Sequence, residues 1–144
     1  MPTDQAMSPS KGTILVVDDE PAVLDTVRDG LAVHGYEVLT AAGGADALRV
    51  AQAHNGAIPL ALVDVVMPGM NGPEVVQQLH QTRPEMKTLF MSGFSTEVIV
   101  VSGVREGDPF IVKPFSLETL SRKVRELLEV RPSPFSRPPQ QPRP

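Results

Sequence analysis

The chain has 144 residues, enough for one domain with a solid core, and its 41% hydrophobic content is ordinary for a globular protein. A formal net charge of −4 and a pI near 5.3 argue against a broad nucleic-acid surface. There is no cysteine, which excludes disulfides, thiolate zinc sites and a cysteine nucleophile.

Residues 1–10 are polar, lack the apolar run of a signal peptide and are expected to be disordered. The folded unit is expected over 11–130. Thr13–Val17 is a short run of β-formers and the first predicted strand; it leads straight into Asp18 and Asp19. Pro21–His34 reads as a helix, with proline at its start, Gly35 just past its end, and Val23, Leu24, Val27 and Leu31 on one face. Tyr36–Thr40 is the second predicted strand. Ala45–Ala53 is a weaker helix with Ala47, Leu48 and Ala51 inward. Leu60–Val63 is the third strand and runs into Asp64. After the tight loop Met67–Gly72, where Asn71 or Gly72 can start a helix, Pro73–Thr82 carries Val75, Val76 and Leu79 on one side.

Thr88–Met91 is the fourth predicted strand, followed by Ser92 and Gly93. Thr96–Val104 is read as a helix despite its β-branched residues. Phe110–Val112 is the fifth strand and leads into Lys113 and Pro114. Leu117–Val130 follows the N-cap Ser116 and spaces Leu117, Leu120, Val124, Leu127 and Leu128 as a buried stripe. Six of the fifteen prolines fall in 131–144, a stretch whose single large apolar residue is Phe135, and this tail is expected to be disordered. No apolar stretch approaches the roughly 20 residues of a membrane-spanning helix, so a soluble, cytoplasmic protein is expected.

Strand and helix alternate through five units. That rhythm predicts a flavodoxin-like α/β fold: a five-stranded parallel sheet in the order 2-1-3-4-5 between two helical layers. Strands 1 and 3 then lie side by side at the switch point, where such sheets bind ligands. Asp18, Asp19, Asp64 and Lys113 all follow strand C-termini, so they should converge. Three close carboxylates repel one another unless a cation neutralises them. The pattern points to a hard divalent ion with an anion beside it, and to phosphate chemistry.

Four segments, Ile14–Glu20, Leu62–Gly72, Met91–Gly93 and Val112–Phe115, together resemble the receiver domain of two-component response regulators. They occur in the family's order and cover the whole folded unit. The resemblance implies that Asp64 is the phosphoacceptor. It implies that Asp19, Asp64 and the backbone carbonyl of Val66 hold Mg²⁺ directly, with Asp18 acting through a metal-bound water. Lys113 and Ser92 would contact the phosphoryl oxygens, and the N–H groups of Val66 and Gly93 would complete the anion cradle. Lys113–Pro114 would be a cis peptide. Ser92 and Phe110 would form the switch pair, the serine moving to the phosphoryl group and the ring filling the space it leaves.

The implied role is that of a phosphoacceptor, with at most self-catalysed phosphorylation and slow autodephosphorylation, and not of an enzyme turning over substrate. Its expected partners are a sensor histidine kinase or histidine phosphotransfer protein and an unidentified downstream protein, with homodimerisation possible and neither nucleic acid nor membrane involved. The output surface is expected near strand 5, including Ile99, Val100 and Val101. Val66 and Phe94, two residues past Asp64 and Ser92, are apolar where family members can line the path of a hydrolytic water, so loss of the phosphoryl group should be slow. The Met91–Phe94 and Pro109–Phe115 stretches also resemble receivers at the C-terminus of hybrid histidine kinases. That gives one rival reading; a non-phosphorylated interaction module on the same fold is the other. His34, His54 and His80 lack metal-ligand spacing and are read as surface residues.

Overall fold

The structure, a computed structural model, describes residues 10–93 and 103–129. Its elements in chain order are β1 (Thr13–Val17), α1 (Pro21–Val33), β2 (Glu37–Ala41), α2 (Gly44–Ala53), β3 (Leu60–Asp64), α3 (Gly72–His80), β4 (Lys87–Ser92), β5 (Phe110–Val112) and α4 (Leu117–Glu129). All strand pairings are parallel, in the order β2-β1-β3-β4-β5. This is the expected doubly wound sheet.

The strands separate two apolar layers by alternation. Leu15 and Val17 of β1 and Ala61 and Val63 of β3 pack with Ala47, Ala51, Val75 and Leu79 of α2 and α3. Ile14, Val16, Leu60 and Leu62 face the other way, onto Val27 and Leu31 of α1 and Leu120 and Val124 of α4. A period of two along a buried strand produces this division. β1 and β3 are buried along their whole length. β2 and β5 lie at the sheet edges and are partly exposed. Their continuous apolar appearance therefore overstates their burial.

Helix starts and stops follow local chemistry. Asn71 caps α3 reciprocally: its side chain accepts from the Glu74 N–H at 3.0 Å, and Glu74 Oε1 accepts from the Asn71 N–H at 2.9 Å. Ser116 Oγ accepts from the Thr119 N–H at 3.0 Å at the start of α4. Gly35, just past α1, has φ +95°, a conformation that favours glycine. The guanidinium of Arg83 donates to the carbonyls of Ala51, His54 and Gly56 at 2.9–3.0 Å, closing the end of α2.

Several boundaries differ from the sequence expectation by one or two residues. β2 is Glu37–Ala41 where Tyr36–Thr40 is expected, because Glu37 and Ala41 pair with the two ends of β1. β3 and β4 extend to include Asp64 and Ser92. Leu117 is 38% exposed and not fully inside the α4 stripe; its methyls lie over Gly30 of α1, where a Cβ would come within 2.6 Å of them. His80 is half-buried and bonds the Met86 carbonyl at 2.8 Å, so it is not a plain surface residue. The expected helix Thr96–Val104 falls mostly, and the terminal segments 1–10 and 131–144 almost entirely, outside the described residues. Among the described residues, no helix is long and apolar enough to cross a membrane.

Candidate functional site

Pairing between β1 and β3 builds the site. Val17 lies opposite Val63, so Asp18, just past β1, and Asp64, the last residue of β3, lie at the same level. Asp64 is itself paired with Met91 of β4, which places Ser92 and Gly93 one step further along the same edge. At β5, the Lys113 N–H donates to the Ser92 carbonyl at 2.9 Å and carries the ladder one bond past the strand. The Lys113–Pro114 bond is cis. Three strand ends thus deliver acidic and ammonium groups to one corner, and Ser92 and Gly93 stand at the end of the fourth.

Side-chain carboxylate oxygens of Asp18, Asp19 and Asp64 lie within 4.8 Å of one another. Asp18 is fully buried and Asp64 is 5% exposed, whereas Asp19 is exposed. Both Asp18 oxygens are engaged. Oδ1 accepts from the Glu20 N–H at 2.9 Å, and Oδ2 accepts from Lys113 Nζ at 2.7 Å. The same ammonium lies 3.6 Å from Asp64 Oδ1 and 3.5 Å from Glu20 Oε1. One cation therefore stands among several acids.

The electrostatics follow from that imbalance. Burial, and then the neighbouring charge of Asp18, push the Asp64 carboxyl up to about 7, with Asp19 adding to the effect and Lys113 opposing it. Burial disfavours the charged form of Lys113, yet the hydrogen bond to Asp18 and the charges of Asp64, Asp18 and Glu20 outweigh it. Its pKa lies above the ordinary lysine value. A dicationic metal among these oxygens would relieve the repulsion that Lys113 only partly offsets. The donor set is all hard carboxylate oxygen and includes one exposed member, which suits Mg²⁺.

The loop after Asp64 is held by close packing. The Gly72 N–H donates to the Val65 carbonyl at 2.8 Å. A Cβ on Gly72 would lie 2.5 Å from the Asp64 carbonyl oxygen, so the start of α3 approaches the end of β3 as only glycine allows. Gly69, at the turn, has φ +85°. Val66 is half-buried immediately after Asp64 and Val65. Ser92 is fully buried. Phe110 is half-buried and pairs with Phe90 across the sheet, packed against the α2–α3 side of the core.

The structure thus brings Asp18, Asp19, Asp64 and Lys113 together, sets Ser92 and Gly93 at the end of β4 and places Val66 in the loop after β3. Phe110 sits within the sheet, three residues short of Lys113. Phe94, Ile99, Val100 and Val101 lie outside the described residues. Two relationships escape sequence reasoning: the direct pairing of Asp18 with Lys113, and the approach of Glu20 to the same ammonium. Glu20 could have been noticed as a third consecutive acid at a helix start, but only the β1–β5 geometry shows what it faces.

Residues 14–125 match the family model described as the response regulator receiver domain. The sensor kinase CckA of Brucella abortus (strain 2308) is 36% identical over 118 residues, covering 81% of this chain and 12% of that protein. The response regulator MprA of Mycobacterium ulcerans (strain Agy99) is 38% identical over 117 residues, covering 80% of this chain and 49% of that protein. Among solved structures, a receiver domain protein (CheY-like) from Methanospirillum hungatei JF-1 superposes with a TM-score of 0.73 at 35% identity, covering 83% of this chain and 95% of that one. The chain spans about half the length or less of these curated relatives.

Proposed function

Because the chain belongs to the response regulator receiver domain family, we propose that Asp64 accepts a phosphoryl group, with Mg²⁺ held by Asp19, Asp64 and the Val66 carbonyl. The observation that carries this reading is the convergence of three carboxylates within 4.8 Å of one another, two of them beside a lysine whose ammonium lies 2.7 Å from Asp18 and 3.6 Å from Asp64. Asp18 has both oxygens engaged, by Lys113 and the Glu20 N–H, which fits a role one shell removed from the metal. When bound, Mg²⁺ supplies positive charge that keeps Asp64 ionised and offsets charge on the phosphoryl oxygens.

The donor is a phosphohistidine on a sensor histidine kinase or histidine phosphotransfer protein. An Asp64 carboxylate oxygen attacks phosphorus, the O–P bond forms, the P–N bond breaks, and the imidazole leaves and takes up a proton. Lys113 Nζ turns from Asp18 to a phosphoryl oxygen, where it balances charge. The Ser92 hydroxyl and the N–H groups of Val66 and Gly93 donate to the remaining oxygens. Movement of Ser92 opens space for the Phe110 ring, which biases a two-state equilibrium and alters contacts with a downstream protein.

The test is incubation with acetyl phosphate and Mg²⁺. A base-labile label on Asp64 that is lost in Asp64→Ala and under chelation supports the reading. The absence of label with any donor, protein or small, favours an interaction module that is never phosphorylated. A second reading, in which the same receiver serves as a module of a hybrid kinase, is supported by the identity to sensor kinase CckA. The coding sequence upstream of the chain separates the two.

A further inference from the structure

We propose that Glu20 is a specificity-determining residue: its carboxylate at the site mouth slows phosphoryl capture from small anionic donors. The inference rests on the reading of Asp64 as phosphoacceptor and concerns which donors reach it.

Glu20 has its backbone and side chain in different roles. Its carbonyl accepts the N–H groups of Val23 and Leu24 at 3.1–3.2 Å, and its own N–H is fixed by Asp18. The start of α1 thus holds the residue in place whatever its side chain does. The side chain is 63% exposed and reaches to 3.5 Å from Lys113 Nζ. It therefore lies on the more exposed side of Lys113, whose own side chain is 19% exposed and whose ammonium lies 3.6 Å from Asp64. Two effects act in the same direction. Glu20 adds a negative charge where an incoming phosphate must arrive, beside exposed Asp19. It also gives Lys113 a third carboxylate besides Asp18 and Asp64, away from the phosphoryl position.

A surface pair of this kind contributes little to stability. Its influence on a charged ligand is larger, because potentials at a site mouth act on local concentration and encounter rate. A dianionic donor about 6 Å from the Glu20 charge in a water-like dielectric is slowed about threefold at ~0.1 M salt and about sevenfold at ~0.01 M, with little effect left at ~1 M. A protein donor escapes the penalty by placing a basic side chain opposite Glu20.

The experiment follows acetyl phosphate labelling of the full chain by intact mass at saturating Mg²⁺, in wild type, Glu20→Gln and Glu20→Lys, at low and high salt. Circular dichroism checks that each variant is folded. The expected result is a graded series. Glu20→Gln labels about three- to sevenfold faster than wild type at low salt, Glu20→Lys faster still, and the differences collapse at high salt. Equal rates in wild type and Glu20→Gln overturn the inference. So does an acceleration that ignores salt, since loss of packing or capping has no reason to be screened. A wild-type protein that takes no label from any donor brings down the phosphoacceptor reading itself, and this inference with it.

Discussion

Lys113 donates to Asp18 at 2.7 Å while standing 3.6 Å from Asp64. The lysine is thus bonded to the buried Asp18 and only leans toward Asp64. Asp18 holds the ammonium 3.6 Å from the Asp64 carboxylate without a hydrogen bond between them.

Removing that ammonium leaves the acids without a counter-charge. Lys113→Met should cost about 1–3 kcal/mol in metal-free buffer at pH 8, less than the ~3–5 kcal/mol of a fully buried pair because the lysine is partly exposed. Mg²⁺ should restore much of the loss, and labelling of Asp64 should fall sharply even at saturating metal. Urea melts with chelator and with Mg²⁺ measure the first two effects. A variant as stable as wild type at pH 8 without metal contradicts the charge argument.

The Asp64 carboxyl couples stability to pH. It titrates at about 7 in the folded chain but near 4 in an unfolded one. Between those values the folded chain holds a proton that the unfolded chain has released. Stability from this group is therefore complete below about pH 4, declines as pH rises through 7, and is level above about pH 8. The metal-free melting temperature should drop over that window, Asp64→Asn should flatten the slope, and Mg²⁺ affinity should climb with pH as metal displaces the proton. Titrations by calorimetry at pH 6 and pH 8 give the comparison.

Gly72 admits no side chain, because its Cβ would lie 2.5 Å from the Asp64 carbonyl oxygen. Gly72→Ala should destabilise by about 1–3 kcal/mol, the usual cost of overpacking, and should slow labelling by displacing the β3 end that carries Asp64. Gly69→Ala serves as the control. Open space surrounds that glycine, whose φ is +85°, so only the left-handed backbone resists substitution, at about 1–2 kcal/mol. Thermal melts of both, with labelling rates, distinguish crowding at Asp64 from strain in the turn.

Apolar Val66 offers no group to orient an attacking water. The phosphorylated form should persist well beyond seconds in Mg²⁺ buffer, and Val66→Asn should shorten its lifetime several-fold. The decay of the base-labile label after donor removal reports both numbers. A wild-type lifetime of seconds would falsify this expectation.

Arg83 acts far from the chemistry. Its guanidinium satisfies three carbonyls at the end of α2, and Arg83→Ala should cost about 1–3 kcal/mol by leaving them short of donors. Labelling at 20 °C should be unaltered, which separates scaffold from site.

Much of this architecture is legible in the chain itself. Short Val/Ile/Leu runs with a period of two, separated by helical stripes, have few ways to bury both faces, and the parallel sheet is the solution they share. Asp18, Asp19, Asp64 and Lys113 declare themselves because each follows such a run, and parallel strands end on one edge. Strand ends were less legible, since β2 is delimited by its pairing with β1 rather than by its own composition. Burial of the edge strands depends on having one neighbour instead of two.

Residue order alone therefore determined the α/β class, the strand order and the convergence of the acidic corner, because periodicity and chain direction are properties of the sequence. Tertiary structure decided which acid takes the lysine, how near Glu20 comes to it, and why Gly72 must lack a side chain. Those outcomes depend on distances of a few ångströms between residues up to 95 positions apart, and such distances are set by strand pairing and packing across the whole sheet.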